Sequence, residues 1–533
     1  MSARQDLAGA TARGMAWSMA ATAGGRIISL VALAILARLL APEDFGLLAF
    51  ALVFIAYLET VGDLGTGMAL IYWPDRWRDV AQLTLLANLV MGFLWLGIAW
   101  GSAPWVADFF GSPEGEPILR ALAWVLPLKA LGTTHDALLQ RELRFRARAV
   151  PELALMGGKA AVAVPLAVAG FGAWSLVWGQ LVGQALWTGL VWVLVSWRPE
   201  RRFPRDLVGP VLEYGRGIVS VNVLAAVVHH ADVVVVGRML GAVALGFYQM
   251  AYRVPDIAIT LLVRITSKVL FPALSRLKSA GEGLRDLYLG ALRYLSLLTI
   301  PGSIGLVVLA EPLVVTLFGE EWRPSAPIMQ ALAAYTGLRA LGSYAGDLLK
   351  ATGRPSLLAL LGVARAVVLV PALIWAGARG TVAVALALLT VTTLSTAVNF
   401  VVAARLARAS AGAIAEALRP AVLASIPMLV LLLAWTTLAR PLPAWAVLVG
   451  GILVGMAVYG AALRVVEPAV FRRILRVVRR RGAVDGGDGG PGAPDAGAPD
   501  MWAPGADAPG AAPGPAAPGT AEPQPAAYER GLP

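Results

Sequence analysis

Arg253, Asp256, Thr260, Arg264 and Lys268 lie within residues 245–274, a segment otherwise apolar enough to cross a membrane. The last four recur at i, i+4, i+8 and i+12, so on a helix they form one slowly drifting polar stripe, with Arg253 three positions before Asp256. At about 1.5 Å per residue the stripe is roughly 22 Å long, most of the hydrocarbon thickness. An ionisable group at that depth costs roughly 2.5–3.5 kcal/mol on insertion scales, so these side chains are expected to face water or paired charges and not lipid. The stripe therefore predicts a basic, wet interior whose natural guest is a large anion. Snorkelling to the membrane surface is the competing account of Arg264 and Lys268. It does not account for Arg253.

Other ionisable residues sit inside apolar segments too: Arg26, Glu59, Asp63, Lys129, Lys159, Glu213, Arg216, Asp232, Arg293, Arg339, Asp347 and Arg365. Bases outnumber acids. Arg26, Arg216, Arg253, Arg264 and Arg293 are expected to line the cavity, the alternative being burial in local ion pairs. Glu59, Asp63, Asp232 and Asp256 are candidates to pair those arginines when cargo is absent, or to carry a coupling proton or sodium ion. His229 and His230 beside Asp232 make a poor metal pair, because adjacent helical residues diverge by about 100° and neither HExxH nor thiolates accompany them. No GxxxxGK[ST] motif is present, so neither an ATP site nor any other cofactor is expected.

The elements that must position these residues are helices. Hydrophobic residues make up 58% of the 533 and charged ones 14%, a balance that belongs to a polytopic membrane protein. About fourteen apolar segments can be read: 14–40, 45–73, 80–103, 117–139, 150–169, 171–197, 210–236, 245–274, 284–309, 326–349, 356–376, 381–404, 417–438 and 445–463. Only Gly170 and Gly172 mark the turn between the fifth and sixth. The first segment is too long for the apolar core of a cleavable signal, so it is expected to stay. Cysteine is absent, which excludes disulfides and thiolate metal sites.

Alternate connections are basic by about five to one, which predicts that both termini are cytoplasmic and the number of spans even. The net charge of +11 follows membrane sides and is not gathered in a soluble basic domain, which argues against nucleic acid. The loops are short, so no extramembrane domain can house an enzyme active site.

The chain repeats itself at a spacing of about 200–210 residues. Arg38-Leu39-Leu40 leading to Gly46 matches Arg238-Met239-Leu240 leading to Gly246, and Phe109-Phe110-Gly111 matches Leu317-Phe318-Gly319. Lys129 then corresponds to Arg339 and Lys159 to Arg365, and this duplication favours a structural role for all four. The fold expected is all-α and polytopic, with two pseudo-symmetric six-helix lobes in parallel repeat and two additional helices. The boundaries read as residues 1–200 and 201–410 for the lobes, 411–466 for the last two spans, a basic juxtamembrane segment over 467–481 and a disordered cytoplasmic tail over 482–533.

The run Arg38-Leu39-Leu40-Ala41-Pro42-Glu43-Asp44-Phe45-Gly46 followed by Asp63-Leu64-Gly65 resembles the start of polysaccharide biosynthesis and export proteins. These are the Wzx-type oligosaccharide flippases of the multidrug/oligosaccharidyl-lipid/polysaccharide (MOP) exporter superfamily. Asp232 through Gly237-Arg238, Leu245-Gly246-Phe247-Tyr248 and Ala251-Tyr252-Arg253 resemble the same family at its second lobe, as does Leu317-Phe318-Gly319 to Trp322. The resemblance implies a V-shaped cavity between the lobes and an undecaprenyl-diphosphate-linked oligosaccharide as cargo, moved across a bacterial cytoplasmic membrane for O-antigen, capsule or exopolysaccharide synthesis. It also implies a polysaccharide polymerase and a chain-length regulator as partners. A drug antiporter of the same superfamily stays open as an alternative, although such a cavity would favour acids and aromatics. A membrane-embedded polymerase or ligase also stays open, although it would need a substantial outer loop.

Overall fold

An apolar run surrounded by lipid must satisfy its backbone hydrogen bonds internally, and a helix is the open-chain way to do so. The computed structural model describes residues 24–62, 70, 75–142, 144–200, 204–210, 229–259, 283–468 and 472, and among these no strand occurs. The first half holds α1 (Gly24–Ala37), α2 (Pro42–Gly62), α3 (Trp77–Phe110), α4 (Gly115–Leu122), α5 (Val125–Arg141), α6 (Phe145–Val168) and α7 (Ala173–Leu194). The second holds α8 (His229–Ile259), α9 (Leu284–Val308), α10 (Ala310–Phe318), α11 (Ser325–Ala351), α12 (Pro355–Gly377) and α13 (Thr381–Ala407). Two further helices follow, α14 (Ala411–Leu438) and α15 (Ala444–Val466).

Nine of the described helices are long and apolar enough to cross a membrane. Parts of the first, second, seventh and eighth expected spans lie outside the described residues, as do Asp63, Glu213, Arg216, Thr260, Arg264, Lys268, most of the expected juxtamembrane segment over 467–481 and the expected tail over 482–533. Residues 117–139, read as one span, are two helices. In α4, Ile118, Leu119 and Leu122 are buried while Glu116 and Arg120 pair at 2.8 Å on the other face. Such a one-sided helix suits an interface and not the bilayer interior.

Helix pairing recurs between the halves. The contacts of α3 with α5, α5 with α7 and α6 with α7 have counterparts in α9 with α11, α11 with α13 and α12 with α13. Equivalent prolines, Pro165 and Pro371, sit inside α6 and α12. One difference is that α3 runs unbroken past Pro104, whereas the matching stretch is divided into α9 and α10 at Leu309. The last two helices pack on each other, with α14 also against α9 and α15 against α10. Large apolar side chains such as Leu360, Val367 and Trp375 on α12 and Val430 and Leu453 on α14 and α15 point outward, as a lipid-facing surface requires.

The halves meet closely at the start of α2 and the middle of α8. A Cβ on Gly46 would lie 1.8 Å from the Ala242 carbonyl oxygen, and one on Gly246 would lie 1.9 Å from that of Pro42. Positions 42 and 242, and 46 and 246, are equivalent in the repeat, so each half presents its glycine to the same point of the other. Gly241 takes φ +85° inside α8 at the point where the first half turns between α1 and α2, a conformation open to glycine and not adopted by its counterpart Ala41. Around this crossing the Arg38 guanidinium donates to the Thr316 carbonyl at 2.6 Å, and Arg238 lies 5.3 Å over the Phe109 ring, its counterpart contact. Trp322, fully buried, donates its indole N–H to the Ala37 carbonyl at 2.7 Å and meets Phe45 and Phe247 edge-on.

Away from the membrane interior, Arg76 holds Asp79 at 2.7 Å and also pairs with Asp206. These hydrogen bonds, the one to Asp206 first, raise the guanidinium pKa and tie the start of α3 to the connection between the halves.

Candidate functional site

Behind that crossing lies a cavity of about 590 Å³. Its walls come from α1, α2, α6 and α7 of the first half and α8 of the second, so neither half forms it alone. Apolar residues such as Leu33, Leu52, Ala163 and Leu176 make up much of the lining, and its charged side chains are mostly basic: Arg26 on α1, Lys159 on α6 and Arg253 on α8 against one acid, Asp232, with uncharged polar groups such as Gln180 and Gln249 beside them.

None of these three cations has an ion pair among the described residues. Arg253 has Arg26 and Asp256 as charged neighbours, and Lys159 has Arg253, Glu59 and Lys129. Two of those acids are engaged elsewhere: Glu59 accepts from Lys129 at 2.8 Å, and Asp256 accepts from Arg339 at 2.8 Å. Asp232, buried at the cavity wall, accepts from the Tyr248 hydroxyl at 2.9 Å, and its other oxygen has no partner among the described residues. An apolar-walled pocket with surplus positive charge has the chemistry to hold an amphiphilic anion.

A model of the family described as polysaccharide biosynthesis protein matches residues 35–327. The chain belongs to this family. It is 26% identical over 475 residues to the succinoglycan biosynthesis transport protein ExoT of Rhizobium meliloti (strain 1021), an alignment covering 88% of this chain and 96% of the relative. Over 410 residues it is 28% identical to the lipopolysaccharide biosynthesis protein WzxC of Escherichia coli (strain K12), covering 74% and 80% respectively. Among solved structures it is similar to the lipid II flippase MurJ in its inward closed conformation. The TM-score is 0.71 at 14% identity, over 86% of this chain and 99% of that one, and the fold is shared. The resemblance read from the sequence motifs, and the all-α membrane-transporter architecture it implied, are borne out.

In this polysaccharide biosynthesis protein the remaining predicted site residues fall in different places. Arg26, Arg253 and Asp232 line the cavity; Glu59 and Asp256 stand near it in their pairs with Lys129 and Arg339. Arg293 is not in the described lining and pairs with Glu467 just beyond α15. The two members of the duplicated position 129/339 behave alike, each tying its α5 or α11 to an acid of its own half. Position 159/365 diverges. Arg365 donates to Thr392 at 3.2 Å, whereas Lys159 lines the cavity. Lys159 and Arg365 thus sit in different surroundings, although the duplication predicts one shared role. No signal in the sequence separates the two, since neither Lys159 nor Arg365 has an acid three or four positions away on its helix.

Proposed function

We propose that this protein is a flippase that moves polyprenyl-diphosphate-linked oligosaccharide across the bacterial cytoplasmic membrane for surface or secreted polysaccharide synthesis. The observation that carries the reading is the cavity between the halves, with Arg26 and Arg253 facing it from opposite halves and no carboxylate of the described residues pairing with them. The diphosphate binds the arginines, the sugars occupy the wetter part of the cavity, and the polyprenyl tail stays in lipid between helices. The lobes, residues 1–200 and 201–410, rock about their glycine crossing to expose the headgroup to each side in turn. With both termini cytoplasmic, the crossing at Arg38 and Arg238 closes the outer face. Arg216, Arg264 and Arg293 remain candidates for the cargo's path. Asp232, with Glu59, Asp63 and Asp256, is a candidate to link transport to an ion gradient or the membrane potential. The relatives' biosynthetic roles in succinoglycan and lipopolysaccharide support a glycan cargo.

The test is reconstitution into liposomes with a fluorescent polyprenyl-diphosphate oligosaccharide, scoring the headgroup's exposure to an external modifying reagent. The protein accelerates translocation, and Arg26→Ala or Arg253→Ala lowers the rate by at least about tenfold with folding intact. Equal rates with and without protein would remove the reading for that cargo.

A further inference from the structure

Resting on that reading, we propose that Lys159 is the third cation of the anion site and sets its preference for a diphosphate over a monophosphate. A sugar joined to a polyprenol through one phosphate carries one negative charge there, and through a diphosphate two. Arg26 and Arg253, each facing Gln-, His- and apolar-lined space, are one pair of positive charges. A third cation in the same cavity is superfluous for a monophosphate and repelled by the other two when the cavity holds no anion. Its presence there without an ion pair among the described residues is accounted for by a guest with more than one charge.

The local structure is built around this lysine. On α7, Gly179 and Gly183 are spaced four apart and face α6. A Cβ on Gly183 would lie 2.6 Å from Lys159 Cγ and 2.7 Å from the Leu155 carbonyl oxygen, and one on Gly179 would lie 2.8 Å from the Lys159 carbonyl oxygen. These glycines let the two backbones approach and leave a channel for the lysine stem, as small residues four apart do between membrane helices. The nearby lysine that a carboxylate does hold, Lys129 at 2.8 Å from Glu59, leaves Lys159 without that acid as a partner. The equivalent Arg365 has no such cradle role and bonds Thr392 instead, so the two halves differ where an asymmetric cargo requires them to.

Binding is measured on the full-length protein in nanodiscs, with a short-chain polyprenyl-diphosphate sugar and its monophosphate counterpart as probes. The parent protein binds the diphosphate more tightly. Lys159→Met loses about tenfold in affinity for the diphosphate with little change for the monophosphate, and Lys159→Arg restores the preference. Gly183→Ala, which intrudes on the stem and leaves the charge, falls between. A Lys159→Met protein that keeps the parent's preference, or that weakens for both probes alike, overturns the role of Lys159 while leaving the flippase reading in place. A parent protein that binds neither probe overturns both.

Discussion

Arg339 and Asp256 show what a half-buried charge needs to hold its position. The pair closes at 2.8 Å with about a quarter of each side chain exposed, and the guanidinium also lies 5.5 Å from the Tyr335 ring centroid. Removing one partner leaves the other desolvated without compensation, which costs more than the pair contributes. Asp256→Ala is expected to destabilise the protein by about 1–3 kcal/mol, read as a lower thermal midpoint in detergent. Joint replacement, Arg339→Met with Asp256→Leu, recovers most of that loss. An unchanged midpoint in Asp256→Ala would show that another contact holds α8 against α11. Arg26, Lys159 and Arg253 contrast with this pair: they share a cavity, and no carboxylate of the described residues is paired with them.

For helices the decisive feature is how near two backbones can come. Gly46 and Gly246 meet carbonyl oxygens of the opposite half at distances no side chain fits. Gly246→Val forces α2 and α8 apart, with an overpacking cost of about 1–3 kcal/mol on the state in which they touch. Because the chain has no cysteine, a single Leu36→Cys at the cavity wall reports the change. Its labelling by a water-soluble thiol reagent is expected to speed up severalfold in the Gly246→Val background. Gly460→Ala, with nothing within 4 Å of the added carbon, leaves it unaltered. Equal labelling in all three backgrounds would mean that the glycine crossing does not close the cavity.

Across the whole molecule the two halves touch through matched contacts, Arg38 on Thr316 and Arg238 over Phe109, on either side of the glycine crossing. Transport by rocking lobes requires these contacts to open. A Phe109→Cys, Arg238→Cys protein joined by a short bis-maleimide is expected to lose transport in liposomes, while each single variant treated in the same way keeps it. Undiminished flux through fully cross-linked protein would place the moving parts elsewhere. The same pseudo-symmetry that builds the crossing leaves the site itself unsymmetrical, since α1, α2, α6 and α7 line the cavity with only α8 among the second half's described helices.

The sequence by itself determined the class, the repeat and most helix bounds, because these depend on local facts: apolar length against membrane thickness, basic loops, and turns that need glycine. The turn marked only by Gly170 and Gly172 is there, with φ of +84° and +53°, and the four helices expected at 356–376, 381–404, 417–438 and 445–463 are found within a few residues. Tertiary structure alone decided which charges share space. Arg26 and Arg253 are over two hundred residues apart and meet at one cavity, Lys159 and Arg365 are equivalent in sequence and unlike in surroundings, and Arg293 finds Glu467 across 174 positions. Helical periodicity places a charge on a face. Only the packing of α1, α6 and α8 determines whether that face meets water, lipid or another charge.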